Sequence, residues 1–173
     1  DILMILHQLK IPTVFPDSVI EEANRVSETI SPEEIEGRVD LRQELTVTID
    51  GADAKDLDDA VALVKREDGT FVLTVSIADV SYYVTENSEM DKEAFERGTS
   101  VYLTDRVVPM LPQRLSNGIC SLHPYEERLT LTARMEIDRS GTIYQHEIFP
   151  SVIQSNERLT YDEVNVLFNT NEA

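Results

Sequence analysis

TIDGADAKDLDDAVAL, residues 48–63, is the stretch that decides how this 173-residue chain is organised. Five aspartates fall within ten positions of it: Asp50, Asp53, Asp56, Asp58 and Asp59. Two carboxylates about 4 Å apart, at an effective dielectric constant near 20, repel each other by on the order of 4 kcal/mol. A folded chain tolerates such a segment where water surrounds the carboxylates or where a positive charge lies among them.

The residues around this segment alternate in the way that β-strands do. Apolar side chains alternate with threonines over residues 45–49, which predicts a strand that ends at Asp50. Two further strands are predicted over residues 60–66 and 70–78, and the Asp-Gly pair at residues 68–69 between them is a strong hairpin signal. The aspartates therefore occupy a strand end, a loop and the start of the next strand.

A turn of this length can bring four carboxylates toward one point. These are Asp50, Asp56, Asp58 and Asp59. Carboxylates that converge raise their own pKa values or hold a cation. Because no His or Cys lies nearby in the sequence, the expected ligands are oxygens only, which favours Mg²⁺ or Mn²⁺, with Ca²⁺ as an alternative.

Two other interpretations of the acidic segment compete with a site for phosphate chemistry. An EF-hand needs acids at its first, third and fifth positions, Gly at the sixth and Glu at the twelfth, and no frame here supplies that set. A solvated acidic loop is the simpler alternative. Leu57 and the apolar run at residues 60–63 argue against it, because they would draw the loop inward, and Gly51 suits a backbone that passes close to a neighbour.

The rest of the chain alternates between short helical and strand patterns. Helices are predicted over residues 1–10, over 17–26 with Asp17 or Ser18 as N-cap, from Ser31, over 87–97 up to Gly98, as one turn over 112–117, and after the capping box at 160–163. Strands are predicted over 100–103, 129–137 and 142–154, the last two being paired. The expected fold class is α+β, with a mixed, largely antiparallel sheet and flanking helices.

The composition is that of an ordinary globular domain with a large acidic excess. The formal charge is 15 − 33 = −18, so the chain as a whole would repel a polyanion. A single cysteine, Cys120, cannot form an internal disulfide, which favours a reducing, cytoplasmic location, and no apolar run is long enough for a membrane span. A start at Asp1 without Met and an end at residues 169–173, NTNEA, suggest an excised piece of a longer protein.

The motifs together resemble one known family, the ribonuclease II/ribonuclease R exoribonucleases with their catalytic RNB domain. The family signature is similar to TIDGEDARDFDDAV, and its four essential aspartates match Asp50, Asp56, Asp58 and Asp59, while Asp53 lies outside the pattern. The resemblance continues in family order through GRVDLR (37–42), IADVSYYV (77–84), RGTSVYL (97–103) and LPQRLSNGICSL (111–122). Two positions depart from it, Ser76 in place of His and Val39 in place of a basic residue.

The resemblance implies a function and a set of roles. Family members hydrolyse single-stranded RNA from the 3′ end and release nucleoside 5′-monophosphates. By this likeness the four aspartates bind Mg²⁺, or Mn²⁺, and Asp58 also orients the terminal nucleotide. Tyr102 matches the tyrosine that packs against the final base.

The resemblance also predicts the domain organisation. Residues 1–38 correspond to a helical connector before the catalytic domain, and residues 39–173 to the N-terminal portion of the RNB domain. The family domain extends further and carries RNA contacts in its later part, so the 173-residue chain alone is expected to be inactive or very weakly active. The competing hypotheses are a non-catalytic acidic RNB-like scaffold and a Ca²⁺-stabilised structural domain.

Overall fold

The computed structural model describes residues 2–170. Six helices are present among them: α1 (Ile2–Gln8), α2 (Asp17–Arg25), α3 (Pro32–Ile35), α4 (Val80–Tyr83), α5 (Glu89–Arg97) and α6 (Tyr161–Thr170). Nine strands accompany them: β1 (Val39–Asp40), β2 (Val47–Asp50), β3 (Asp59–Lys65), β4 (Phe71–Ala78), β5 (Val101–Tyr102), β6 (Val107–Val108), β7 (Glu127–Ile137), β8 (Ile143–Gln154) and β9 (Glu157–Thr160). Among these described residues, no helix is long and apolar enough to cross a membrane.

The chain forms two compact units, and each draws on two separate stretches of sequence. One unit combines the described part of Asp1–Glu28 with Val80–Ile119, and the other combines Thr29–Asp79 with the described part of Cys120–Ala173. The second unit contains a seven-stranded sheet in the order β1-β8-β7-β4-β3-β2-β9. The inner strands pair antiparallel, whereas β1 and β9 run parallel to their neighbours. The predicted fold class, α+β with a mixed, largely antiparallel sheet, is confirmed.

Local sequence signals explain the two long hairpins of this sheet. Between β3 and β4, Gly69 has a φ of +83° and the Asp68 carboxylate accepts hydrogen bonds from the backbone N–H and the hydroxyl of Thr70. Between β7 and β8, the Asp138 carboxylate accepts from the backbone N–H groups of Ser140 and Thr142. Both turns use an Asp side chain to stabilise the reversal of the chain, as the sequence predicts.

One face of the sheet buries hydroxyl groups. Ser76 on β4 and Thr132 on β7 share a hydrogen bond of 2.8 Å, and Thr132 and Ser151 on β8 share one of 2.6 Å. Thr130 also bonds Ser151, at 2.7 Å. Because each of these four hydroxyls has a hydrogen-bond partner on the neighbouring strand, they avoid the desolvation penalty that an unpaired group would impose. The buried Thr48 hydroxyl on β2, by contrast, has no partner within the described residues.

In the other unit, α5 begins and ends where the sequence predicts. The Ser88 hydroxyl accepts a hydrogen bond from the Asp91 N–H, and Gly98 ends the helix in the left-handed conformation with a φ of 71°. Helix α2 packs against α5, with the Glu22 carboxylate accepting from the Met90 N–H at 2.8 Å. The early helix α2 is thus part of a packed unit rather than an isolated segment.

Some predictions about element ends were wrong. The N-cap of α2 is Pro16, not Asp17 or Ser18, because the Pro16 carbonyl already accepts the first hydrogen bonds of the helix. The helical turn predicted over residues 112–117 is present, since the Pro112 carbonyl accepts from the Leu115 and Ser116 N–H groups at 2.8 Å and 3.2 Å. It continues past the predicted end as a wide π-type turn at Leu115–Ile119 that is interrupted by Gly118. Asp1, included in the first predicted helix, and residues 171–173 lie outside the described residues.

Candidate active site

The sheet brings the two ends of the aspartate segment together. Asp50 is the last residue of β2, and Asp59 is the first residue of β3, the antiparallel neighbour of β2. Residues 51–58 form the loop between them, and the Asp58 carbonyl accepts a hydrogen bond from the Ala78 N–H at 3.0 Å. The predicted placement at a strand end, a loop and the next strand start is therefore confirmed.

The second half of the loop, residues 55–57, is held by buried contacts. Leu57 is 0% exposed and fills the core, as its apolar character predicts. The Leu57 N–H donates to the Ser121 hydroxyl at 3.0 Å, and that hydroxyl donates to the Lys55 carbonyl at 3.0 Å. The Leu122 N–H donates to the Leu57 carbonyl at 2.9 Å. These contacts fix the backbone on both sides of Asp56.

The first half of the loop is held by one arginine. Nη2 of Arg158, on β9, lies within hydrogen-bond distance of three backbone carbonyl oxygens: 3.2 Å from Gly51, 3.0 Å from Ala52 and 2.8 Å from Ala54. Its positive charge also acts on Asp50. Arg158 is a residue that the sequence patterns do not identify, because the motif around it carries no spacing that relates it to the aspartates.

The carboxylates of the segment act on one another electrostatically. Burial raises the pKa of Asp50, and the charges of Asp59 and Asp56 raise it further against the opposing effect of Arg158. The pKa of Asp58 rises to about 6, first because the surrounding protein displaces water from its carboxyl and then because of Asp56, Asp59 and Asp50. Although much of the Asp58 side chain is exposed, the charges of all three neighbouring carboxylates raise its pKa.

One oxygen in this cluster suits a cation. Asp50 Oδ2 is buried and, within the described residues, has no hydrogen-bond partner. An unpaired buried carboxylate oxygen is costly, and a cation is the partner that its charge favours most. The oxygen-only surroundings fit a hard divalent ion such as Mg²⁺.

The carboxylates do not, however, form a closed set of ligands. Across residues 2–170, no three or more His, Cys, Asp and Glu side chains are grouped closely enough to hold a metal ion. Repulsion between like charges opposes a closer approach. The assignment of Asp50, Asp56, Asp58 and Asp59 as metal ligands and catalytic residues therefore remains a prediction.

Tyr102, the predicted RNA contact, lies in the other compact unit. It is the second residue of β5, which pairs with β6 in a two-stranded ribbon through the Val101–Val108 and Tyr102–Val107 pairs. Its side chain is 62% exposed. The ring is thus accessible within its own unit, and its role in binding a base remains a prediction.

Cys120 and Arg128 are buried near the aspartate loop's anchor, Ser121. Cys120 is 3% exposed, and burial raises the pKa of its thiol to about 12. Arg128 is 4% exposed and donates to the Ser121 carbonyl at 2.8 Å. Arg128 thus supports the residue that anchors the aspartate loop.

Comparisons with known proteins match this chain to one domain family, to related sequences and to a solved structure. The RNB domain profile matches residues 38–173. Ribonuclease R 1 of Lactococcus lactis is 56% identical over all 173 residues, which are 21% of its own length, and ribonuclease R of Thermotoga maritima is 52% identical over 94% of this chain and 23% of its own. The structure of Mycoplasma genitalium RNase R in complex with double-stranded RNA aligns with a TM-score of 0.90 and 38% identity, over 98% of this chain and 30% of that one. The chain therefore spans about a fifth to a third of the length of these proteins.

Proposed function

This chain belongs to the RNB domain family, and from that premise we propose that it supplies the metal-binding carboxylates of a 3′→5′ exoribonuclease. The substrate would be the 3′ end of single-stranded RNA, and the products nucleoside 5′-monophosphates. The observation that carries the proposal is the mutual electrostatic effect of Asp50, Asp56, Asp58 and Asp59, together with the buried Asp50 Oδ2, which has no hydrogen-bond partner within the described residues. The protein would act in the cytoplasm, in keeping with its single buried cysteine.

The four carboxylates have two kinds of role in the proposed reaction. Asp50, Asp56 and Asp59 would hold Mg²⁺, or Mn²⁺ in its place. Asp58 would orient the 3′-terminal nucleotide and contribute to the same ligand set. The ion supplies positive charge that offsets the negative charge of the reacting phosphate and lowers the pKa of the attacking water. The protein contributes by holding the loop that carries these residues through backbone contacts on both of its halves.

The net charge of −18 is the observation that favours a second candidate function. An acidic chain repels RNA on average, so a non-catalytic acidic scaffold would also explain the composition. In the enzyme hypothesis, the basic surface that attracts RNA lies outside residues 1–173, in line with the much greater length of the related ribonucleases. Residues 1–38 would then connect such a region to the catalytic part, of which residues 39–173 form the N-terminal portion.

A chimeric protein distinguishes the exoribonuclease from the non-catalytic scaffold. This chain would replace the matching segment of Lactococcus lactis ribonuclease R 1, to which it aligns over its full length. Single-stranded RNA labelled at either end would be digested with Mg²⁺, with a chelator, and with the chelator followed by Mg²⁺. The enzyme hypothesis predicts mononucleotide release from the 3′ end that the chelator stops and Mg²⁺ restores. A folded chimera that binds RNA but releases no nucleotide would support the scaffold.

The isolated chain allows a separate test of the cation. Titration calorimetry with Mn²⁺, Mg²⁺ and Ca²⁺ distinguishes the proposed site from a Ca²⁺-stabilised structural domain. We expect binding of Mn²⁺ and Mg²⁺, and RNA hydrolysis by the chain alone that is absent or very weak. Preferential binding of Ca²⁺, with a large gain in thermal stability, would favour the structural domain instead.

A further inference from the structure

We propose that Arg158 is a positioning residue for the aspartate segment: its guanidinium fixes the backbone of residues 51–54 and so sets the direction in which the flanking carboxylates point. The inference deepens the proposed function, on which its metal-binding part rests. Its structural part rests only on strand register and hydrogen bonds within one compact unit.

Strand register explains why the Arg158 side chain reaches this loop. Strand β9 runs parallel to β2, with Arg158 beside Thr48 and Thr160 beside Asp50. Side chains alternate between the two faces of a strand, so Thr48 and Asp50 share a face, and their registered neighbours share it with them. Arg158 therefore projects on the same face as the Asp50 carboxylate, next to the point where the chain leaves β2 and enters the loop.

The contacts made there place a permanent positive charge against three backbone carbonyls. One terminal nitrogen, Nη2, lies 2.8–3.2 Å from the carbonyl oxygens of Gly51, Ala52 and Ala54. The three carbonyls converge because the loop turns tightly, with the Ala54 N–H donating to the Gly51 carbonyl at 3.1 Å. Nη2 carries two N–H groups, so the three carbonyls share two donors, and the permanent charge of the guanidinium strengthens its attraction to all three oxygens.

The loop has a second anchor, and the two are independent. Ser121 holds residues 55–57 through a neutral hydroxyl, whereas Arg158 holds residues 51–54 through a charged group. Asp56 lies in the half held by Ser121, while Asp50 lies immediately before the half held by Arg158. Loss of Arg158 is therefore expected to loosen the connection between these two carboxylates and to leave the Ser121 half in place.

The charge of Arg158 has a second effect. It attracts Asp50 and thereby opposes part of the repulsion from Asp56 and Asp59. A cation bound to the same carboxylates would be repelled slightly by Arg158, so charge alone predicts tighter metal binding when Arg158 is neutralised. A positioning role for Arg158 predicts weaker metal binding when Arg158 is replaced. The direction of the change in metal affinity therefore distinguishes the two effects.

The test compares three variants of the 173-residue chain. Arg158→Gln removes the charge and shortens the side chain, and Arg158→Lys keeps the charge on a side chain that is shorter than that of Arg. Arg66→Gln is the matched control, because it removes the same charge from the same unit, where Arg66 pairs with Glu136 at 2.7 Å and 2.8 Å. Mn²⁺ is the probe, measured by calorimetry at a temperature where circular dichroism shows each variant to be folded. Amide hydrogen exchange is followed separately over residues 51–54 and 55–57.

We expect Arg158→Gln to weaken Mn²⁺ binding by about 10–100-fold, the usual cost of losing a group that orients metal ligands. Exchange should accelerate at residues 51–54 and stay as in the wild type at 55–57. Arg158→Lys should lie between the wild type and Arg158→Gln, and Arg66→Gln should match the wild type in both measurements.

The contrary results are equally specific. Unchanged or tighter Mn²⁺ binding by folded Arg158→Gln, or an equal loss in Arg66→Gln, would overturn the positioning role. Uniformly faster exchange across both halves would also overturn it, since it would show general destabilisation. A wild-type chain that binds neither Mn²⁺ nor Mg²⁺ would refute the proposed metal site itself, a result distinct from any difference between variants.

Discussion

The aspartate segment and the strand that carries Tyr102 are both predicted parts of the site, but they are held by different kinds of contact. The segment between Asp50 and Asp59 is fixed by hydrogen bonds with Arg158 and Ser121, which lie far from it in the sequence. Tyr102 lies on a two-residue strand whose partner follows a few residues later, and its ring is 62% exposed.

This difference matches what each region would have to do. Carboxylates that share an ion need fixed directions, because ligand geometry is strict and like charges repel. An aromatic ring that stacks on any base needs an accessible face and tolerates small displacements, since stacking does not depend on the sequence of the RNA. The comparison therefore predicts large, position-specific effects in the aspartate segment and smaller, graded effects at Tyr102.

The largest effect is expected from substitution of Asp58 in the chimera with Lactococcus lactis ribonuclease R 1. Asp58→Asn should lower the turnover of single-stranded RNA by on the order of 10³-fold, because it removes a charge worth several kcal/mol in the transition state. RNA binding should be largely retained. Asp53→Asn, in the same loop but outside the four-aspartate pattern, should keep near-normal turnover. Rates come from mononucleotide release, and affinities from filter binding.

Two outcomes would contradict the expected difference between Asp58→Asn and Asp53→Asn. Equal losses for Asp53→Asn and Asp58→Asn would indicate a general requirement for negative charge in the loop. Normal turnover of the Asp58→Asn chimera would remove this carboxylate from the chemistry altogether.

The sequence predicts those parts of the site that depend on neighbouring residues, and it does not predict those that depend on residues far apart in the chain. Alternation and the Asp-Gly turn are local, and they placed Asp50 and Asp59 at facing strand ends correctly. The anchors are not local: the bond from Arg158 to Gly51 spans 107 positions, and that from Leu57 to Ser121 spans 64. No period in the sequence reports such pairings, and the Arg158 bond exists only because β9 lies beside β2.

The same limit applies to the fold. The long hairpins were predicted because each strand shows several periods of alternation and a recognisable turn. The strands β1, β6 and β9 and the helix α4, each two to four residues long, are too short to show a period and were missed. The π-type turn at Leu115–Ile119 depends on tertiary packing, with Leu115 itself 0% exposed.

A smaller effect is expected at Tyr102. In the chimera, Tyr102→Ala should weaken binding of single-stranded RNA by about 1–3 kcal/mol, or roughly 5–150-fold, through loss of base stacking. Its effect on the free energy of unfolding should stay within about 0.5 kcal/mol, because the side chain is exposed. Tyr102→Phe keeps the ring and should bind RNA as the wild type does. If the Phe variant were as weak as the Ala variant, the hydroxyl group and not stacking would be the relevant contact.

The smallest effect concerns the pH dependence of stability in the isolated chain, measured with a chelator present. The pKa of Asp58 rises from its ordinary value of 3.8 to about 6 in the folded state, so folding favours its protonated form. Its contribution to stability is fully present below about pH 4 and is lost as the pH rises to about 6. Asp58→Asn removes the ionisable carboxyl and, with it, this loss of stability at higher pH. The variant should therefore gain on the order of 1 kcal/mol over the wild type between pH 4 and pH 7.5, a value reduced from that of a buried site because solvent screens the exposed Asp58.

Urea unfolding at pH 4, 5, 6 and 7.5 measures this gain, and Asp68→Asn provides a control of opposite sign. Hydrogen bonds from the Thr70 hydroxyl and N–H lower the pKa of Asp68, so its contribution is present above its ordinary pKa and is lost on acidification. Asp68→Asn should thus lose stability relative to the wild type as the pH rises, while Asp58→Asn gains it. Parallel curves for Asp58→Asn and the wild type would mean that neither burial nor the neighbouring carboxylates shift the pKa of Asp58. The aspartate segment would then resemble the Tyr102 strand: a set of exposed side chains without a shared electrostatic site.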